Sequence, residues 1–201
     1  LQDVGVRFFT YLSTLHYVME ACAENSIPVI ILDRPNPNLH YLDGPVMEES
    51  YTSFLGMHPV PIVYGMTIGE YAQMINGERW LKSGVRCKLR VIPVENYNRK
   101  STYELSVRPS PNLPNPQSIA LYPSLCLLEP TVISVGRGTD FQFQIYGHPK
   151  LPKSDFTFTP LPNFGAKNPK LKDYLCYGKN LTKVLRPNQL ELKWLIDAYK
   201  N

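Results

Sequence analysis

Residues 10–33 read TYLSTLHYVMEACAENSIPVIILD, and this stretch decides the fold class. Leu12, Leu15, Val18, Met19 and Cys22 recur at the spacing of one helix face, which predicts an amphipathic helix over residues 10–25 with His16 on its surface. Asn25 ends that pattern, and Pro28 opens PVIILD, a short continuous run of β-branched and leucine side chains. Such a run is expected of a strand covered on both faces. Before the helix, LQDVGVRFF (residues 1–9) reads as the end of an earlier strand. Strand, helix and strand in this order make a βαβ unit, and hence a parallel sheet with a right-handed crossover.

Ligands of such sheets collect beyond the carboxyl ends of the strands. Asp3 and Arg7 fall after the first predicted strand, and Asp33, Arg34 and Asn36 after the second. Two readings of DRPNPN stay open: a ligand site, or turn chemistry of Asp, Asn and Pro with Asp33 and Arg34 pairing with each other.

Further along, residues 38–66 are rich in Pro, Gly and Tyr and predict a long ordered loop. Thr67 and Glu70 form a T-x-x-E capping box that opens a helix through about Ile75, which Asn76-Gly77 ends. Residues 86–94 alternate as a further strand. RPSPNLPNP (residues 108–116) can be neither helix nor central strand, because its prolines lack N–H donors, and it suits a stiff pocket wall. A helix over residues 117–128 then leads into LLEPTVISVGRGTD (residues 127–140). There Glu129 precedes a Gly-Arg-Gly turn, in which glycines on both sides let Arg137 approach a partner closely, and Asp140 follows. Guanidinium is the planar fork for carboxylates and phosphates, although Gly-Arg-Gly is also an ordinary turn. FQFQIYGHP (residues 141–149) alternates as a strand, after which the composition turns to Lys, Pro, Asn and Phe. Residues 189–200 close as an amphipathic helix.

Composition narrows the function classes. A chain of 201 residues with 43% hydrophobic content can bury a sizeable core. The net charge of +4 is scattered, without a run that would track a nucleic-acid backbone, and no apolar run approaches a membrane span. The four cysteines form no C-x-x-C pair, and the four histidines lack metal-ligand spacing, so no metal site is expected. Most of the cysteines sit among apolar residues and suit a core. No dinucleotide fingerprint, phosphate loop or Gly-x-Ser-x-Gly elbow occurs, and no cofactor is implied. Carboxylates at strand ends, arginines, tyrosines and asparagines remain, the inventory of a carbohydrate site.

Several motifs make that inventory specific. QDVGVRFFTYLSTLHYVMEAC, VIILDRPNPN, GMTIGEYAQMING, PSPNLPN, SIALYPSLCLLEPT and SVGRGTD stand here in one order. In that order and spacing the chain resembles the exo-acting β-N-acetylmuramidases, a bacterial family long catalogued as a domain of unknown function, and its wording is closest to Bacteroidota members. The resemblance implies a Rossmann-like domain, a smaller second domain, a cleft between them and removal of N-acetylmuramic acid from the non-reducing end of peptidoglycan fragments. It also implies muramyl saccharides as partners and a periplasmic or secreted location. The family's principal catalytic Glu lies in a Gly-Pro-Glu-His-Gly motif that this sequence does not contain, and the chain therefore reads as a piece of a longer protein. Two other departures stand out: Tyr64-Gly-Met-Thr where the family reads His-Gly-Met-Thr, and Glu129-Pro130-Thr131 where it reads Glu-Gly-Thr.

The expectation is thus an α/β chain: part of a Rossmann-like parallel sheet over residues 1–148, then a smaller α+β domain over residues 149–201. Asp3, Arg7, Asp33, Arg34, Asn36, Tyr64, Asn112, Arg137 and Asp140 are the expected substrate-binding residues. Arg137 is the first candidate for the lactyl carboxylate of muramic acid and Arg7 the second. Glu129 is either a second catalytic carboxyl or the residue that holds Arg137. The competing class is a glycan-binding or scaffold protein with the same cleft and no chemistry.

Overall fold

The computed structural model describes residues 1–201 and is a mixed α/β chain. It comprises two compact units, Leu1–Tyr103 and Glu104–Asn201. The sequence reading placed its division after residue 148. Strand β3 (Ile145–His148) ends there, but it pairs along its whole length with β5 (Cys176–Asn180), which ties both sides of that position into one sheet.

In the first unit, α1 (Tyr11–Glu24) and α2 (Ile68–Gly77) pack on one face of a two-stranded parallel sheet, β1 (Val29–Leu32) and β2 (Leu89–Ile92). The register runs from Val29 opposite Leu89 to Leu32 opposite Ile92. The first unit therefore contains the strand–helix–strand order that a parallel pair requires, built from β1, α2 and β2. Residues 1–9 are not a strand; Val6 makes only a single antiparallel bridge to Val63. The core joins Leu12, Leu15 and Met19 of α1 to Ile68, Tyr71, Ala72 and Ile75 of α2, each large side chain contributing roughly 1.5–3 kcal/mol on burial. Val29, Ile31 and Leu89 meet that core from the sheet. Ile30 and Leu32 point the other way and are 62% and 72% exposed, so β1 is covered on one face rather than on both.

Two capping boxes fix helix starts. Thr67 caps α2 and exchanges bonds with Glu70; Asn115 does the same with Ser118 at α3 (Pro116–Leu125). Pro116 occupies the first turn of α3, where a missing N–H costs nothing, while Pro123 lies inside the helix. The helix gives way to a 3-10 turn at Cys126–Leu128.

The second unit holds an antiparallel sheet in the order β3-β5-β4, with β4 at Thr157–Phe158, and α4 at Lys193–Lys200. The predicted strand over residues 141–149 shrinks to β3 because Phe143 adopts φ 53° and the Gln144 N–H turns back to Phe141. Gln142 and Gln144 are buried, which breaks the expected alternation. In α4, Trp194 is buried while Tyr199 is 90% exposed. All four cysteines are free thiols, with Cys87 and Cys176 buried. No helix is long and apolar enough to cross a membrane.

Candidate functional site

In the first unit a cavity of about 530 Å³ opens just beyond the carboxyl ends of β1 and β2. Asp33, Thr67, Glu70, Gln73, Tyr97 and Arg99 contribute to its lining. Asp33 follows β1 directly and is held by the start of α2. Its Oδ1 accepts the N–H groups of Gly69 (2.7 Å) and Arg34 (2.9 Å), and its Oδ2 accepts the Thr67 hydroxyl (2.6 Å). Glycine at 69 permits this approach, because a Cβ there would lie 2.6 Å from the Asp33 Cγ. Arg99 donates to the Gly65 carbonyl and lies 3.3 Å from Glu70.

Behind the cavity wall, the Tyr97 hydroxyl donates to the Asn36 carbonyl (2.8 Å). The buried Asn36 amide donates to the Met66 carbonyl and accepts the Asn38 N–H, so both ends serve the backbone. Asp3 is 3% exposed; its Oδ2 accepts the Gly5 N–H (2.6 Å) and the Tyr64 hydroxyl, and its Oδ1 makes no hydrogen bond. Burial pushes the Asp3 carboxyl up to about 6, against the opposing effect of those two donors. Burial and Asp3 together push the Tyr64 phenol well above its ordinary range.

The arginines predicted beside these acids do other work. Arg7 Nη1 donates to the Pro45 and Val60 carbonyls (2.6 and 2.7 Å) and pins the 38–66 loop. The Arg34 guanidinium turns to Gln2 Oε1 (2.5 Å) instead of pairing with Asp33, whose carboxylate is turned to the start of α2. His16 is a further correction: it is buried, not on the helix surface, and bonds His58.

In the second unit, Glu129 and Arg137 form a bidentate pair, Nε to Oε1 at 2.6 Å and Nη2 to Oε2 at 2.8 Å. The guanidinium lies 4.9 Å from the centroid of the Phe143 ring. Burial acts to lower the Arg137 pKa, but the Glu129 carboxylate outweighs it and holds the value above the ordinary one. Cys126 Sγ sits 4.0 Å from Glu129 Oε2, and burial with that carboxylate pushes the thiol up to about 12. Lys170 caps the Glu129 and Thr131 carbonyls. Gly138 takes φ 82° and packs against Pro169 and the Leu161 carbonyl, where no Cβ fits. Asp140 is exposed. Asn112 is buried and donates to the Gly165 carbonyl (2.7 Å), while its Oδ1 is unpaired. One loop links these residues: Leu161 bonds Gly138, Asn163 bonds Thr139 and Gly165 bonds Asn112.

Thus Asp33 lines a cavity, with Asn36 one hydrogen bond behind its wall. Asp3 and Tyr64 form one buried pair, and Glu129 and Arg137 another. Sequence reasoning did not single out Thr67, Glu70, Gln73, Tyr97 or Arg99 for the site. Thr67 and Glu70 announced themselves only as a helix cap; Tyr97 and Arg99 had no signal beyond their place after a predicted strand.

Residues 1–117 match the family model for the N-terminal region of the exo-β-N-acetylmuramidase NamZ, and residues 120–201 match that for its C-terminal region. The curated peptidoglycan β-N-acetylmuramidase NamZ of Bacillus subtilis (strain 168) is 41% identical over 164 residues, which is 79% of this chain and 39% of that protein. A crystal structure of a DUF1343 family protein from Bacteroides fragilis NCTC 9343 superposes with a TM-score of 0.97 at 50% identity, covering 100% of this chain and 58% of that one. A second DUF1343 family protein of the same strain gives 0.78 at 30% identity, covering 90% and 51%. The chain thus spans well under two thirds of each relative's length.

Proposed function

Because this chain belongs to the NamZ family of exo-β-N-acetylmuramidases, we propose that it forms part of a glycosidase that removes N-acetylmuramic acid from the non-reducing end of peptidoglycan fragments, outside the cytoplasm. The observation that supports this most is the 41% identity to a peptidoglycan β-N-acetylmuramidase, which spans 79% of the chain. On this reading the cavity at the strand ends receives sugar hydroxyls through Asp33, Glu70 and Gln73, with the Tyr97 ring in its wall. Glu129 holds Arg137 in place, each of its oxygens accepting one hydrogen bond from the guanidinium. The remaining predicted residues (Asp3, Arg7, Arg34, Asn36, Tyr64, Asn112 and Asp140) shape and support the binding surfaces.

The family's Gly-Pro-Glu-His-Gly acid is absent from these 201 residues, so the chain by itself is expected to hydrolyse little or nothing. The test is release of muramic acid from an aryl β-N-acetylmuramide by a protein joining this chain to a segment with that motif, beside the chain alone and the matching glucosaminide. Hydrolysis confined to the joined protein and to the muramide supports the reading. Saccharide binding with no hydrolysis by either protein would replace it with the non-catalytic glycan binder, for which the absent Gly-Pro-Glu-His-Gly acid and Tyr64 in place of the family's histidine speak.

A further inference from the structure

His16 of α1 and His58 of the 38–66 loop are 6% and 3% exposed, yet neither belongs to the sites above. His16 Nδ1 and His58 Nε2 are 2.9 Å apart, and His58 Nδ1 lies 3.0 Å from the Tyr71 hydroxyl on α2. At the other end His16 Nε2 faces Glu20 Oε2 at 3.5 Å, an oxygen that also accepts the Lys82 backbone N–H at 2.8 Å.

Four groups in line leave one consistent assignment of protons. A bare Nε2 lone pair against a carboxylate oxygen is repulsive, so His16 carries its proton on Nε2. A neutral His16 then accepts at Nδ1, His58 donates from Nε2 and accepts at Nδ1, and Tyr71 is the donor. Trp80 stacks on His58 with ring centroids 4.8 Å apart, and Tyr17 meets His16 edge-on at 5.7 Å, so little water screens the pair. Beyond Tyr71 stand the Tyr64 ring, with centroids 4.8 Å apart, and the charged neighbours Asp3 and Arg7.

We propose that Tyr71, His58 and His16 form a one-way hydrogen-bond relay, anchored at its outer end by the Glu20 carboxylate, that reverses when the histidine pair takes up a single proton, and so sets which way the Tyr71 hydroxyl points beside Asp3. In the resting direction Tyr71 gives its hydrogen to His58 and offers only lone pairs elsewhere. On proton uptake the His58 Nε2 proton passes to His16 Nδ1, the Tyr71 proton passes to His58 Nδ1, and the incoming proton from acidic solvent ends on the Tyr71 oxygen. Three N–H or O–H bonds form and two break, the difference being the proton gained. The new positive charge settles on His16, opposite Glu20, instead of on His58 in the interior. Tyr71 then accepts from His58 and has a hydrogen to give on the side that faces Asp3 and Arg7. Burial lowers both histidines' proton affinity, which keeps the resting direction in force at neutral pH.

The test is nitrogen NMR of 15N-histidine-labelled protein in a His40→Gln/His148→Gln background, which leaves the signals of the pair alone. At neutral pH both rings should be Nε2–H tautomers, and on acidification they should change together, His16 to imidazolium and His58 to the Nδ1–H form. Glu20→Gln should move that step down by about one pH unit, a tenfold weaker proton uptake. An Nδ1–H tautomer at either ring at neutral pH, or independent titration of the two rings in the ordinary histidine range, would overturn the relay. An unmoved step in Glu20→Gln would remove Glu20 as its anchor and overturn the assigned direction.

Discussion

Arg137→Ala separates holding a loop from reading a ligand. The guanidinium makes two charge-assisted hydrogen bonds to Glu129, and the two side chains are 34% and 29% exposed. Such bonds are worth roughly 1.5–3 kcal/mol each when well shielded, and partial exposure takes much of that away. Removing the fork also leaves Glu129 half-buried without a counter-charge, so a net loss of about 2 kcal/mol is expected. For a chain of this size that is roughly 4–8 °C in Tm. Lys at 137 should recover less than half, because it offers a point charge without the fork. A double-mutant cycle with Glu129→Gln should return a coupling of about 1–2 kcal/mol. The competing role, recognition of the lactyl carboxylate, predicts something different in an active protein that contains this chain. There Arg137→Ala would cost roughly 30- to 1000-fold in kcat/KM on muramides alone, with an unchanged melt. That selective loss, or a coupling near zero, would refute the assignment of the fork to Glu129.

Three further outcomes are expected. Gly69→Ala should destabilise the chain by about 1–3 kcal/mol in urea unfolding although alanine favours helix, because the added Cβ would lie 2.6 Å from the Asp33 Cγ and 2.7 Å from Val91 Cγ1; unchanged stability would refute the tight approach. Thr67→Ala removes both the α2 cap and the hydroxyl bonded to Asp33, and should cost about 1–2 kcal/mol in the same measurement, whereas a neutral result would show the cap to be dispensable. The buried ionisable groups predict opposing pH dependences. Folding raises Asp3 from 3.8 to about 6, so the native state holds a proton the unfolded chain has lost, and stability falls as pH rises through that window. Folding lowers His58 from 6.5 to about 4, so that contribution is lost as pH falls through its own window. Asp3→Asn should therefore gain on the unmodified chain by about 3 kcal/mol between acid and neutral pH and unmask the histidine slope; a difference that is flat in pH would contradict the raised carboxyl.

What could be read in the sequence was local. Helices α1 and α2 and the Thr67 box follow from spacing and capping chemistry that act within one or two turns. The partner of β1 was not legible in the same way. Residues 1–9 resemble a strand in composition, but β1 pairs with Leu89–Ile92, and a choice between distant strands is made by packing that a local pattern does not encode. Cover on the two faces of β1 is equally non-local. His16 was the avoidable miss: Leu12, Leu15, His16 and Met19 stand at i, i+3, i+4 and i+7, the core face of a helix, and the polar identity of residue 16 masked its position. Glu129 and Arg137 were singled out with two roles for Glu129 left open, and only the geometry shows the two side chains paired with each other. Tyr97 and Arg99 lie in an irregular stretch, where no period exists to point them inward.

The arginines bear on how the proposed substrate is met. Arg7, Arg34, Arg99 and Arg137 all give hydrogen bonds to the protein itself: to the Pro45 and Val60 carbonyls, to Gln2, to Gly65 and Glu70, and to Glu129. A ligand carboxylate would have to displace one of these partners and leave it unpaired, which costs more the better the partner is buried. Arg99 holds its acidic partner loosely. Its contacts to Glu70 are 3.3 and 3.4 Å long, and its side chain is 59% exposed. Yet Asp33 and Glu70 stand in the same cavity, so Arg99 faces two carboxylates there and an incoming anion would meet an excess of negative charge. Hydroxyl donors meet no such penalty: Asp33 Oδ2 has accepted one hydrogen bond and can take another, and Gln73 offers both a donor and an acceptor. On the proposed function, the cavity at the strand ends receives the neutral, hydroxyl-bearing part of the saccharide, not its carboxylate.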